Sequence, residues 1–292
     1  MNVFSSYCLG LIFIFSLGAN ANVLEYPETE ADMMSALLAL DYENAPKNYS
    51  FQNASQSYDL PEGWTIYHKE NARKLLFYIN GTDTFSNVNA VAVDYDFDSQ
   101  LVFSYYDSGY IDASDWDRLD PDLLMEGIIE STFEANKTSV SNGIPKLEVK
   151  GWVTEPTYDS TRDIVFYVIE AESAGESILN SVAIKLGREG FTNITYVTGA
   201  GSPQEAADTL LAKLDGHSFD AGFLYADYEQ GNKMAGFGLA SLVALTAGSK
   251  NGKGVAAGLM ATLLIFAKKL WFVILLPFVF LWKKIKQKLG SK

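Results

Sequence analysis

The sequence is poor in the residues that most catalytic and metal chemistry uses. Its 292 residues include one cysteine, Cys8, and two histidines, His68 and His217. Cys8 falls in a segment expected to be removed, which leaves no disulfide, no thiolate nucleophile and no cysteine metal site. Isolated histidines do not make a zinc centre, which draws several converging ligands. The GxSxG, HExxH and CxxC patterns do not occur, and no cofactor is expected. Positive charge is also short, with 22 Lys and Arg against 36 Asp and Glu. The deficit is uneven: residues 22–233 hold all 36 acids and 13 bases, whereas residues 234–292 hold nine lysines and no acid. A body with that charge repels phosphate, so nucleic acid is excluded as a partner.

What is present points to a membrane. The apolar run Tyr7–Leu17, followed by Ala19-Asn20-Ala21, has the form of a secretory signal over residues 1–21. Near the other end, Leu264–Trp282 gives about 28 Å of helix, close to the roughly 30 Å of a bilayer core. Lys268 and Lys269 interrupt it only about 7 Å from one end, where their stems can carry the ammonium groups to the headgroups. Five lysines after Trp282 favour the cytoplasmic side. The expected organisation is therefore a signal (1–21), an extracytoplasmic domain (22–233), an apolar region (234–282) with its span at about 264–282, and a basic cytoplasmic tail (283–292). The partners expected are the lipid bilayer and another envelope or membrane protein. Met234–Ala247 is expected to lie on the membrane surface or to pack against the anchor.

The body reads as α+β, a largely antiparallel sheet flanked by helices, plus the C-terminal transmembrane helix. Helices are predicted over Thr29–Leu40 and His68–Ile79, with Asn44–Gln56 as a polar linker between them. Val88–Tyr95 and Leu101–Tyr106 form a hairpin. Asp120-Pro121 opens a helix whose apolar face runs through Leu124, Ile128 and Phe133. Strands follow at Leu147–Val153, Ile164–Ala171, Val182–Leu186 and Ile194–Thr198, the last two joined across Gly187–Gly190. Ser202-Pro203-Gln204-Glu205 reads as a capping box for a helix through Leu214.

Two groups of residues are candidate sites. Asp94, Asp96 and Asp98 alternate, so an extended chain puts three carboxylates on one side, a weak non-EF-hand metal candidate or a solvated acidic edge. Trp152, Tyr158 and Asp159 fall on a strand end and loop, and Arg188 falls in a turn, positions where a rigid sheet commonly carries binding residues.

Several stretches carry a resemblance. They are Gly109-Tyr-Ile-Asp112, Gly151-Trp-Val153 with Glu155–Asp159, Leu186-Gly-Arg-Glu-Gly190, Phe219–Gly222 with Tyr225-Ala-Asp-Tyr228, and Lys233–Leu242 before a lysine-interrupted anchor. In this order, from about Tyr58 to Trp282, they resemble a bacterial family of predicted membrane-anchored proteins, domain of unknown function 2167 (DUF2167). The chain departs from that pattern at Tyr78–Thr82, where a Trp-Gly-Asn-Pro stretch is usual, and at Asn232, where an acid is usual. The resemblance implies an anchored envelope protein and supplies no chemistry. The leading expectation is a non-enzymatic, periplasmic binding module; the alternative is a carboxylate- or metal-dependent envelope hydrolase.

Overall fold

The structure is a computed structural model. It describes residues 24, 27 and 29–246, except 46, 52–54, 81–86, 96–98, 142–145 and 199–201. The elements in chain order are α1 (Glu30–Leu38), β1 (Glu43–Asn44), β2 (Lys47–Phe51), β3 (Gln56–Leu60), β4 (Trp64–His68), α2 (Lys69–Asn80), β5 (Val88–Asp94) and β6 (Ser99–Tyr106). They continue as α3 (Pro121–Ser141), β7 (Leu147–Asp159), β8 (Ile164–Ser173), β9 (Glu176–Leu186), β10 (Phe191–Thr198), α4 (Ala206–Leu214), β11 (His217–Phe219) and α5 (Leu239–Thr246). Eight strands form one antiparallel sheet in the order β1-β4-β5-β6-β10-β9-β8-β7, and three form a second in the order β11-β3-β2. The α+β reading with a large antiparallel sheet therefore holds.

Side-chain alternation decides what covers each face of the large sheet. On one face Trp64, Ile66, Ala92, Leu101, Phe103 and Ile194 meet Tyr49, Phe51, Tyr58 and Leu60 of the small sheet, with Leu210 and Leu214 of α4 beside them. The opposite face is covered by helices in two groups. Ala72, Leu75 and Leu76 of α2 pack on Val88, Val91, Val93 and Val102. Leu124 and Ile128 of α3, with Leu239, Leu242 and Val243 of α5, pack on Val165, Tyr167, Ile169, Val182 and Ile184.

Several sequence expectations need correction. The stretch read as a linker forms β1, β2 and the start of β3; Tyr49 and Phe51 point inward between exposed polar neighbours, a half-buried strand hidden by its asparagines and serines. The helix from Pro121 forms as expected, its Asp120 carboxylate accepting from Asp122 N and Leu123 N at 3.1 Å. Phe133, however, is 58% exposed. The capping box at Ser202 does not form: Pro203–Glu205 is a 3₁₀ turn, and Ser202 Oγ donates to Gln204 Oε1 at 2.9 Å. Within the apolar stretch expected at the membrane, α5 is part of the domain core. Among the described residues no helix is long and apolar enough to cross a membrane. The expected signal and the expected span at 264–282 lie outside the described residues.

Candidate functional site at the motif-bearing end of the sheet

The register brings the separated motifs together. β6 and β9 end, and β8 and β10 begin, at the same end of the large sheet, where β7 also terminates. The connections 107–120, 160–163 and 187–190 therefore emerge side by side, and the chain from 220 to 238 returns to join them. Tyr110 N donates to Lys233 O and Ala235 N to Tyr110 O, both at 2.8 Å. Gly109 N donates to Glu189 O and Arg188 N to Phe223 O, both at 2.9 Å. The motif stretches of 109–112, 155–159, 186–190, 219–228 and 233–242 thus assemble at one end.

Two glycines make this assembly possible. Gly109 has φ +88°, and a Cβ there would lie 2.7 Å from Lys233 O. A Cβ on Gly190 would lie 1.9 Å from the Tyr106 carbonyl oxygen, so no other residue fits that turn without moving the backbone. The same loops seat α5: Leu239 N donates to Asp112 O at 3.0 Å, and Ala240 N to Asp115 Oδ1 at 3.1 Å. A carboxylate at a helix N-terminus also complements its positive end.

Arg188 fixes the 220–232 segment. Its Nε donates to Asn232 Oδ1 at 2.8 Å, one terminal nitrogen donates to Gly222 O at 3.1 Å, and the other lies 3.6 Å from Glu229. Asn232 Oδ1 also accepts from Glu229 N at 3.0 Å. A forked, permanently charged guanidinium suits this task of joining three points on one loop. Arg188 is therefore committed to the structure of the site.

The segment that Arg188 holds carries Tyr225 and Tyr228, both stacked on Tyr110 at centroid separations of 4.5 and 4.1 Å. Tyr225 Oη donates to Ile111 O at 2.6 Å. Tyr158 leans on Trp116 at 5.8 Å. Burial, then the Asp163, Tyr110 and Asp159 side chains, raises the Tyr158 phenol above its ordinary value. Tyr225 is raised more strongly, by burial and by its hydrogen bond with Tyr110, with Tyr158 and Asp163 adding to it. The Asp163 charge thus acts on two phenols, Tyr158 and Tyr225. Asp163 adopts φ +54° in the turn between β7 and β8. Burial and the Asp159 charge raise its carboxyl above 3.8, and the Lys185 ammonium only partly opposes them. The Asp163 carboxyl takes no hydrogen bond or ion pair among the described residues.

The other sequence candidates have distinct places. Asp159 closes its own turn, with Oδ1 accepting from Thr161 N at 2.9 Å and Thr161 Oγ1 at 2.6 Å, and these bonds hold its carboxyl below 3.8. Trp152 lies under α3: its Nε1 donates to Pro121 O at 3.3 Å and its ring meets Tyr167 edge-on at 5.7 Å. Asp94 pairs in register with Trp64 at the end of β5, whereas Asp96 and Asp98 lie outside the described residues. Among the described residues no three His, Cys, Asp or Glu side chains are grouped to hold a metal ion. Sequence reasoning reaches Tyr158 and Arg188 but misses Tyr110, Tyr225 and Asp163. Tyr110 and Tyr225 stand inside motif stretches already noted, whereas Asp163 carries no local signal.

A buried polar centre lies on the opposite face of the sheet. His217 Nε2 meets Gln56 Oε1 at 2.6 Å, and Thr192 Oγ1 donates to that oxygen at 2.6 Å. The Lys185 ammonium donates to the His217 carbonyl. Phe103 stacks on the imidazole at 5.9 Å. Burial and the Lys185 charge hold His217 well below 6.5, so it is neutral.

Comparison with known proteins adds little chemistry. No curated protein matches the chain by sequence. Among solved structures, cyanobacterial PsbP from Synechocystis is 15% identical, covering 59% of this chain and 91% of its own, with a TM-score of 0.35. A likeness that slight carries no functional inference. The sequence model of one family, a protein of unknown function termed DUF2167, matches residues 43–279, beginning where β1 and the small sheet begin. This chain belongs to the DUF2167 family.

Proposed function

We propose that the protein is a membrane-anchored, extracytoplasmic binding module that engages another envelope component through the motif-bearing end of its large sheet. The observation that carries this reading is the convergence of five separated motifs at one end of the large sheet, where the half-buried Tyr225 and Tyr228 stack on Tyr110. Anchoring rests on the apolar stretch 264–282 followed by five lysines, and the outward placement of the acidic body rests on that charge asymmetry. The hydrolase alternative asks for a second carboxyl with a raised pKa facing the first. Asp159, the carboxylate whose charge acts on Asp163, is instead held ionised by Thr161 and Arg162.

The test is recovery of partners by the full chain in mild detergent, from cells carrying either the native protein or Tyr158→Ala/Tyr225→Phe. A reproducible partner retained by the native chain and lost with the variant is the expected result. Equal recovery by both, or hydrolysis of an envelope substrate by the purified native chain, would overturn the reading. A reporter enzyme fused behind Lys292 should be active only in the cytoplasm.

A further inference from the structure

We infer that the sheet face between the two helical groups is a binding site for a neutral sugar, held by Gln100, Ser104, Asn180 and Thr195. This site is separate from the motif-bearing end and goes beyond the binding role proposed there.

Strand register builds the site. Leu101, Phe103, Ala183, Ile194 and Tyr196 face the small sheet, so positions 100, 104, 180 and 195 face the helices. Thr195 pairs with Val102 on one side and with Val182 on the other. Gln100 and Ser104 stand two residues either side of Val102, and Asn180 stands two residues from Val182. Each of the three is therefore a diagonal neighbour of Thr195, about 7–8 Å away and within reach of one small ligand. Gln100 is 3% exposed, Asn180 2%, and Ser104 and Thr195 0%. Even so, Gln100 Nε2, Ser104 Oγ, Thr195 Oγ1 and both Asn180 amide atoms have no hydrogen-bond partner among the described residues. Five unpaired atoms in one patch destabilise the free fold, and such local costs persist in folded proteins chiefly at functional sites.

The same atoms select the ligand. No position on this face of β6 or β10 is charged, so a buried ion would go uncompensated. An apolar ligand would leave all five atoms unpaired. Two amide nitrogens donate, Asn180 Oδ1 accepts, and the two hydroxyls do either. Sugar hydroxyls match both kinds of partner, and the buried Val102 and Val182 beside Thr195 offer apolar surface to ring C–H groups.

Access runs between the helices. Val102 belongs to the apolar cluster of α2, and Val182 to that of α3 and α5, and the two clusters have no member in common. The helical groups can therefore separate over Thr195 without splitting either cluster.

The experiment titrates the full chain in detergent micelles, with carbon-13 on valine and threonine methyls. The probes are glucose, galactose, N-acetylglucosamine and trehalose, with glucosamine and glucuronate as charged counterparts. At least one neutral sugar should shift the Thr195, Val102 and Val182 methyl resonances saturably, and the charged sugars should not. Asn180→Leu and Thr195→Val should each weaken that binding by about tenfold or more. Both variants should melt no lower than the native chain, because each removes atoms that the free fold leaves unpaired. Thr192→Val, on the opposite face of β10, lowers stability but should change sugar affinity less than about twofold. No saturable response to any of the four neutral sugars would overturn the inference, as would a response that Asn180→Leu and Thr195→Val leave unchanged. If both of those variants melt lower, the five atoms are paired by enclosed water only, and the sugar site falls. Partner capture through the motif-bearing end is unaffected by either failure.

Discussion

The two faces of the large sheet are closed in different ways, and the difference shows in their polar residues. Toward the small sheet, aromatics from two layers interlock, with Phe103 4.9 Å from Tyr58 and 5.2 Å from Phe51. Three of the polar side chains enclosed there are tied together: Thr192 and His217 both bond Gln56. Toward the helices, α2 and the α3–α5 pair cover opposite halves of the sheet, and the strands between them carry Gln100, Ser104, Asn180 and Thr195 on that face. All four are buried, yet Gln100 Nε2, Ser104 Oγ, Thr195 Oγ1 and both Asn180 amide atoms lack a hydrogen-bond partner among the described residues. Toward the small sheet Gln56 Nε2, His217 Nδ1 and Ser181 Oγ also lack a partner among the described residues, so both faces enclose unpaired polar atoms; they differ in that Gln56 gathers Thr192 and His217 into one bonded group.

Breaking the sheet-to-sheet layer should have the largest effect. Phe103 is fully buried among Phe51, Tyr58 and His217. Phe103→Ala should cost about 3–5 kcal/mol in chemical denaturation, from lost transfer energy and the cavity left behind. If the small sheet is only loosely attached, the loss will fall well short of that range.

The next effect is set by proton linkage at His217. Burial and Lys185 lower its folded-state pKa, so below its ordinary value of 6.5 the unfolded chain binds a proton that the folded chain refuses. Stability should therefore drop as pH falls through 6.5, by up to about 1.4 kcal/mol per pH unit from this group alone. Tyr58 from β3 also faces it, and burial pushes that phenol up, away from this window; the Lys185 ammonium from β9 bonds the His217 carbonyl. The difference between native protein and His217→Gln, measured from pH 7 to pH 5, isolates the contribution from that of the carboxylates. A flat difference would mean that His217 is protonated in the fold.

Strand β10 lets the two faces be compared within one element. Thr192 and Thr195 are both fully buried, three residues apart, and point to opposite faces. Thr192→Val removes the bond to Gln56 and should cost about 1–2 kcal/mol. Thr195→Val removes a hydroxyl with no partner among the described residues, and at nearly constant shape should be neutral or stabilising by up to about 1 kcal/mol. Thermal melts of the pair give the sign of each; equal losses would show that the Thr195 hydroxyl is as well satisfied as that of Thr192.

The same contrast explains what could be read from sequence. Asp120-Pro121 announced α3 because cap and first turn are local chemistry, and Gly187–Gly190 announced its turn for the same reason. The small sheet was hidden because Tyr49, Phe51, Tyr58 and Leu60 alternate with Asn, Ser and Asp on short strands whose burial depends wholly on a distant partner. Ser202 failed as a cap because Pro203–Glu205 takes a tighter turn before α4 starts. At the site, Arg188, Tyr158, Tyr110 and Tyr225 all sit in motifs, but Tyr110 and Tyr225 stack across 115 residues of chain only because strand register brings their loops to one end of the sheet, a long-range property that no local pattern encodes.

The smallest expected effect tests whether Arg188 holds the binding end as a charge or only as a set of donors. Asn232 Oδ1 already accepts from Arg188 Nε and Glu229 N, so the geometry for a carboxylate is in place. Asn232→Asp keeps that shape and converts a neutral acceptor into a charged one facing a guanidinium that is largely shielded from solvent. The nearby Glu229 carboxylate opposes the gain, since it competes for the same cation at 3.6 Å. A net stabilisation of about 0.5–1 kcal/mol is expected, shrinking in high salt. It should appear as slower exchange of the Arg188 amide, which bonds the Phe223 carbonyl, more than as a change in global melting. Faster exchange at that amide would mean that repulsion from Glu229 outweighs the new pair, and that asparagine at this position is the better fit to the chain's own loop.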